Sequence, residues 1–262
     1  TSNLGNPNYK AFRDNSTSAH AIVVQGDAYG NDFSPYYYAD GYWSNLFDGN
    51  GDKLATPAST DFALSAPFTM EAWINPLVIA SGENNIVATE LSGASNGGAV
   101  LGIKGGGTNI YLATQASGYT VDIGSQSVPT NAWSHIAVVV NGTGSNETDI
   151  YLNGTRIGQG TFASTFSGSY AGYVGEDGRG NGDFNGYISN ARISDNARYS
   201  GASFTVPTAP FASDSNTLLL TSQSNRFIDN SSTGRSISLS GTPKVSTNTP
   251  FTQSKTANVG SG

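Results

Sequence analysis

Asp149-Ile-Tyr-Leu-Asn-Gly-Thr-Arg-Ile157 is the stretch that decides the fold class. Asn153-Gly154 supplies the two positions tolerant of positive φ that a two-residue type I′ turn requires, so the flanking segments form a β-hairpin. Working outward, Ser134-His-Ile-Ala-Val-Val-Val140 is apolar on both faces from Ile136 onward, as a central strand covered on both sides would be. Phe68-Thr-Met-Glu-Ala-Trp-Ile74 alternates instead. It sets Phe68, Met70, Ala72 and Ile74 on one face and Glu71 and Trp73 on the other. Similar short runs at 44–48, 84–91, 98–104, 108–114, 119–124, 171–175 and 184–194 read as further strands. Helical periodicity is nearly absent. Pro207, Pro210 and the Ser/Asn-rich stretch after Phe211 mark an exit from the sheet. The chain is read as all-β, an antiparallel β-sandwich.

Composition agrees and narrows the function classes. Charged residues make up only 12% of the chain, against a usual ~25%. Gly, Ser, Thr and Asn take their place, while 13 Tyr, 12 Phe and 3 Trp argue for a packed core over disorder. A net charge of −7 with scattered basic residues points away from nucleic acid. No apolar run approaches the ~20 residues of a spanning helix, so no membrane insertion is expected. With no Cys, disulfides and thiolate metal sites are absent. Thr1-Ser2-Asn3-Leu4 lacks the basic start and apolar stretch of a secretory signal. That leaves processing, or export by another route such as a virus particle.

An internal repeat complicates the ends. Phe12-Arg-Asp-Asn-Ser16 matches Phe227-Ile-Asp-Asn-Ser231, and the same offset of 215 places Ile22 on Ile237, Gly26 on Gly241 and Pro35 on Pro250. Ser34 and Tyr36 meet the chemically similar Thr249 and Phe251. Seven identities over 25 residues suggest a tandem array, with coincidence of two Asx-type turns as the alternative. Residues 1–41 are expected to be an N-terminal strand segment packing on the sandwich and residues 42–205 the sandwich itself. Residues 206–262 repeat the N-terminal segment, either starting a second module or completing the first.

Four blocks resemble laminin-G-like, concanavalin A-like jelly rolls, in that family's order. Tyr42-Trp-Ser-Asn-Leu-Phe-Asp-Gly-Asn-Gly-Asp-Lys-Leu-Ala-Thr-Pro57 is similar to their opening and Phe68–Ile74 to their next strand. Trp133-Ser-His-Ile-Ala-Val138 with its hairpin follows, and Phe184-Asn-Gly-Tyr-Ile-Ser-Asn-Ala-Arg-Ile193 closes the match. Ala197-Arg-Tyr-Ser-Gly201, Phe204, Pro207, Pro210, Thr217-Leu-Leu-Leu-Thr221 and Asn225-Arg-Phe-Ile-Asp-Asn-Ser231 resemble tandem modules in virion proteins of marine and cyanobacterial phages. The resemblance implies a non-enzymatic component of a virion surface, a fibre or a capsid or tail decoration. Its expected partners are other virion subunits and cell-surface glycans, within an oligomeric assembly. The alternatives are a structural cement subunit without a host ligand and a carbohydrate-active enzyme.

No catalytic residue is assigned. Glycosidases need paired carboxylates, yet Glu71 and Glu90 are isolated in their strands, and Asp48 and Asp52 flank Gly49 and Gly51 as turn-shaping residues would. His135 is expected to be structural, and no Ser occupies a G-x-S-x-G elbow. Calcium is the one metal suggested, because hard oxygen ligands suit it and the family often holds it. Glu176, Asp177 and Asp183 in the loop Glu176-Asp-Gly-Arg-Gly-Asn-Gly-Asp183 are its candidate ligands, although Arg179 sits among them. Tyr36, Tyr37, Tyr38, Tyr42 and Trp43 form a dense aromatic cluster that would either bind a ligand or staple the N-terminal segment to the sandwich.

Overall fold

The computed structural model describes residues 16–18, 20–23, 25, 36–37, 40–89, 98–114, 118–124, 126–164, 166–252 and 256–257. In chain order the strands are β1 (Tyr36–Tyr37), β2 (Ser44–Asp48), β3 (Lys53–Ala55), β4 (Phe68–Val78), β5 (Glu83–Thr89) and β6 (Ala99–Lys104). They continue as β7 (Asn109–Thr114), β8 (Gly118–Ile123), β9 (Ser134–Val140), β10 (Thr148–Leu152), β11 (Thr155–Gly160) and β12 (Gly172–Val174). Last come β13 (Asn185–Ser194), β14 (Thr217–Thr221), β15 (Ser238–Ser240), β16 (Lys244–Ser246) and β17 (Thr256–Ala257). A single 3-10 turn at Thr60–Phe62 is the only helical element among the described residues. Residues 1–37 with 254–262 form one unit, in which β1 pairs antiparallel with β17; residues 38–253 form the other.

The larger unit is a sandwich of two antiparallel sheets. One has the order β11-β10-β9-β4-β13-β2-β16, with β14 also on β13; the other runs β15-β3-β12-β5-β6-β7-β8. Between them lies a continuous core that includes Phe47, Leu54, Phe62, Leu101, Ile110, Ile150 and Phe184. Phe68, Met70, Ala72 and Ile74 point into it, as their alternation requires. The hairpin forms as well: Asn153 and Gly154 have φ of 49° and 77°, and Leu152 pairs with Thr155.

The eight-stranded sheet is covered on its outer face too, and this explains the double-sided apolarity of β9. Ile136, Val138 and Val140 enter the main core, whereas Ala137 and Val139 pack with Tyr151 under Tyr199 and Phe204. The roof is the segment after β13. Tyr199 and Phe204 stack at 3.7 Å, and Phe211 lies 4.2 Å beneath the Arg192 guanidinium. The supposed exit from the sheet is therefore a brief one. The chain crosses the outer face, then returns as β14 beside β13, β15 beside β3 and β16 beside β2. Ser-Leu-Ser and Lys-Val-Ser are too short and too polar to show a period-2 signal, so only their pairing partners reveal them as strands.

Candidate ligand-binding face

Roofing one sheet leaves the outer face of the other as the surface to consider. Strand register lays its residues in rows. Ala55, Tyr173, Ala88, Val100 and Ala113 follow one another across β3, β12, β5, β6 and β7, and Tyr119 on β8 stands next in register. The second row is Asn85, Gly102, Tyr111 and Asp122; the third is Glu83, Lys104 and Asn109. Ala88, Val100, Tyr111 and Ala113 make a small apolar cluster separate from the core, with the half-buried Tyr173 against it. Tyr111 lies across Gly102, where any Cβ would collide with its phenol, so glycine there is what lets the ring lie flat.

The loop after β12 borders this floor and is rigid by construction. Gly175, Gly178, Gly180 and Gly182 all have positive φ, which curls the loop so that its N–H groups point inward. The fully buried Glu176 carboxylate accepts from Lys53 Nζ at 2.6 Å, from the N–H of Gly178 at 3.0 Å and Asn181 at 3.1 Å, and from that of Gly180. Burial would push this carboxyl up, but Lys53 and the Gly180 and Gly178 N–H groups outweigh it and hold it below its usual range.

Asp177, also fully buried, accepts from Arg179 N (2.9 Å), Arg179 Nε (3.0 Å), Arg179 Nη2 and Asn85 Nδ2 (3.0 Å). Tyr111 donates its hydroxyl to Asn85 Oδ1, and Arg179 reaches Glu83 at 3.4 Å. The Asp177 hydrogen bonds raise the Arg179 pKa further. Lys53 Nζ also sits 5.9 Å from the Tyr173 ring centroid, and a Cβ at Gly178 would collide with that ring. On the far side Asp122 accepts Lys104 at 2.6 Å and Asn109 at 2.7 Å.

This geometry gives two of the expected calcium ligands other partners. Glu176 and Asp177 face N–H donors and the two cations Lys53 and Arg179, none of which can ligate a metal. Asp183 is half-buried, with Oδ1 sealed and without a hydrogen-bond partner. Among the described residues no three or more acidic, His or Cys side chains are grouped to hold a metal ion. Asp48 and Asp52 shape a turn: Asp52 Oδ2 accepts Asp48 N–H at 3.0 Å, and Asp48 Oδ1 accepts Asn50 N–H at 2.8 Å.

Of the aromatic cluster, only Tyr42 and Trp43 have described side chains. Trp43 is only 5% exposed, so its indole offers no face to a ligand. Tyr42 is half-buried and edge-on to Phe251 at 6.4 Å. Tyr36 and Tyr37 form β1 in the smaller unit, and Tyr38 lies outside the described residues. His135 is fully buried beside Glu71, its Nε2 3.1 Å from Oε2. The sequence reading did not single out Lys53, Glu83, Asn85, Tyr111, Tyr173 or Arg179 as site residues, because only the pairing of β3, β12, β5, β6 and β7 brings them to one face.

The match to a family model spans residues 48–201, described as the concanavalin A-like lectin/glucanases superfamily. The chain belongs to that superfamily. Among solved structures, the native heptameric SAP-like pentraxin from Limulus polyphemus superposes with a TM-score of 0.51 at 16% identity. The match covers 78% of this chain and 97% of the pentraxin. A "putative carbohydrate binding protein" from Bacteroides ovatus superposes at 0.52 with 18% identity, over 84% of this chain and 63% of that one. At such identities these superpositions establish the shared sandwich. No curated protein matches the chain in sequence.

Proposed function

We propose that this superfamily member is a non-enzymatic glycan-binding module whose ligand lies on the outer face of the seven-stranded sheet. The observation that carries the reading is the half-buried Tyr173 ring, with Lys53 Nζ 5.9 Å from its centroid and Gly178 nearby, on the face that also carries the Arg179–Asp177–Asn85–Tyr111 network. A half-buried phenol suits the apolar face of a sugar ring, and Arg179 and Glu83 supply donors and an acceptor at the border of the same floor. Because the glycine-rich loop is already hydrogen-bonded, little ordering entropy opposes binding. The carbohydrate-binding description of the Bacteroides ovatus protein is consistent with this use of the fold.

Enzymatic use fits less well. A glycosidase needs one carboxyl kept protonated near neutral pH, whereas Glu71, Glu176 and Asp177 each face a cation. The finer setting we propose, adhesion or assembly at a virion surface within an oligomer, is supported by the phage-like motifs of residues 197–231. A glycan array with and without calcium tests the reading, followed by titration of the best hit against Tyr173→Ala and Arg179→Ala. Each substitution is expected to weaken binding about tenfold, equivalent to about 1.4 kcal/mol. A blank array would favour a structural cement subunit, and release of reducing sugar from β-glucans would revive the enzyme.

A further inference from the structure

An arginine at a sugar-binding face would ordinarily read an acidic sugar, because its planar fork grips a carboxylate or sulfate through two parallel N–H groups. Arg179 is already engaged in a way that removes this use. A guanidinium offers a bidentate guest two edges, Nε with Nη2 or Nη1 with Nη2, and Nη2 belongs to both. Here Nη2 donates to Asp177 Oδ2 and, at 3.4 Å, to Glu83 Oε2, while Nε donates to Asp177 Oδ2 at 3.0 Å. Nη1 has no acceptor among the described residues, and the side chain as a whole is 33% exposed. The fork is spent, but single N–H donors remain.

Charge points the same way. Lys53 is answered by Glu176 and Lys104 by Asp122, whereas Arg179 faces both Asp177 and Glu83. Three cations thus stand against four carboxylates around the floor, which leaves its border one net negative charge at neutral pH. The two carboxylates on Arg179 differ in kind. Asp177 is fully buried and tied into the fold by Asn85 Nδ2 and the Arg179 backbone N–H. Glu83 opens β5 with its side chain 28% exposed, so its charge meets an incoming ligand.

We infer that Glu83 is a specificity-determining residue of this face: with Asp177 it closes the Arg179 fork to anions, so that the site selects uncharged sugars over their uronate and sulfated forms. Arg179 then donates through Nη1, to a hydroxyl, a ring oxygen or an acetamido carbonyl. A carboxylate or sulfate placed there meets two like charges, and repulsion of this kind excludes wrong ligands. The inference rests on the glycan reading and narrows it from sugars in general to neutral ones.

The test compares wild type with Glu83→Gln, both full length, on an array that carries each neutral oligosaccharide beside its uronate and sulfated forms. The readout is the ratio of dissociation constants, acidic form over neutral form, so a loss common to both forms cancels. Wild type is expected to prefer the neutral form by about tenfold or more, and Glu83→Gln to narrow that ratio about fivefold, because one of the two repelling charges is gone. An acidic form bound as well as its neutral counterpart overturns the inference and leaves the glycan reading standing. A ratio unchanged in Glu83→Gln does the same. An array blank for wild type removes both. Should Glu83→Gln not fold, wild type alone decides through salt. Raising NaCl from about 20 mM to about 500 mM is expected to tighten binding of the acidic form and leave the neutral one unchanged, as the Debye length contracts. An acidic form whose binding weakens with salt, or stays as it was, overturns the inference.

Discussion

Replacing Glu71 by glutamine would remove the anion at the centre of the roofed face while keeping its volume. Glu71 is fully buried. Its Oε1 accepts Arg192 Nε at 2.8 Å and Nη2 at 2.6 Å, and its Oε2 faces His135 Nε2 at 3.1 Å and accepts the Tyr199 hydroxyl at 2.7 Å. Burial pushes the carboxyl up, but the His135 hydrogen bond, the Arg192 charge and the Tyr199 hydroxyl outweigh it, bringing it from 4.5 down to about 2. That displacement is worth on the order of 3 kcal/mol, at about 1.4 kcal/mol per pH unit. Since the folded value lies below the unfolded one, this stability is complete above about pH 5 and drains away as pH falls from 4.5 toward 2. In Glu71→Gln the Arg192 guanidinium, 7% exposed, keeps its burial and loses its counter-charge. Breaking such a pair from one side costs about 3–5 kcal/mol. Urea unfolding at pH 7 and at pH 3, read by tryptophan fluorescence, checks this. Trp73 lies 5.4 Å from His135 and reports on the roof directly. The difference between wild type and variant is expected to be about 3–5 kcal/mol at pH 7 and clearly smaller at pH 3. A difference that does not change with pH would refute the assignment of Glu71 as the ionised hub.

Two more outcomes follow from the geometry. Adding calcium or EDTA at millimolar levels is expected to move Tm by less than about 1 °C, because Lys53 and Arg179 already answer Glu176 and Asp177. Calcium at a hundred times its Kd would add about 2.7 kcal/mol, so a rise of roughly 5–10 °C in differential scanning calorimetry would contradict this. Gly51→Ala and Gly241→Ala separate backbone strain from crowding. Both sites have positive φ, but nothing approaches the Cβ position at Gly51, whereas at Gly241 the Asp52 Cα would lie 2.9 Å away. The first is expected to cost about 1 kcal/mol and the second more than about 2 kcal/mol, measured by urea unfolding.

Sequence showed the strands whose identity is written locally. β9 has its apolar run, β4 its alternation, and β10 and β11 their Asn-Gly turn. What stayed hidden depends on partners far away in the chain. Lys53 meets Glu176 across 123 positions, and Arg192 meets Glu71 across 121. Nothing in the neighbourhood of either residue signals the pairing. Loop composition alone made Glu176, Asp177 and Asp183 resemble a cation site. Only the fold shows that β3 delivers an ammonium group and that Arg179 turns back onto Asp177. In the same way the sequence left Trp43 open between a ligand-binding and a packed ring, because its burial depends on long-range packing.

The low charge of this chain gains a physical meaning from those pairings. Among the described residues, Lys53, Lys104, Arg156, Arg179, Arg192, Arg198 and Arg235 form ion pairs with the chain's own carboxylates. Several fasten a distant segment in place: Arg198 to Asp214 within the roof, Arg235 just before β15 to Asp61, Lys53 to the Glu176 loop. Charges used in this way hold strands together and contribute little field beyond the surface, where opposite charges in contact cancel within a Debye length. The groups left to meet a partner are mainly hydroxyls, amides and half-buried rings, which desolvate at smaller cost than ions. A surface of that kind selects by shape and neutral hydrogen bonding, which suits the hydroxyl-rich faces of sugars.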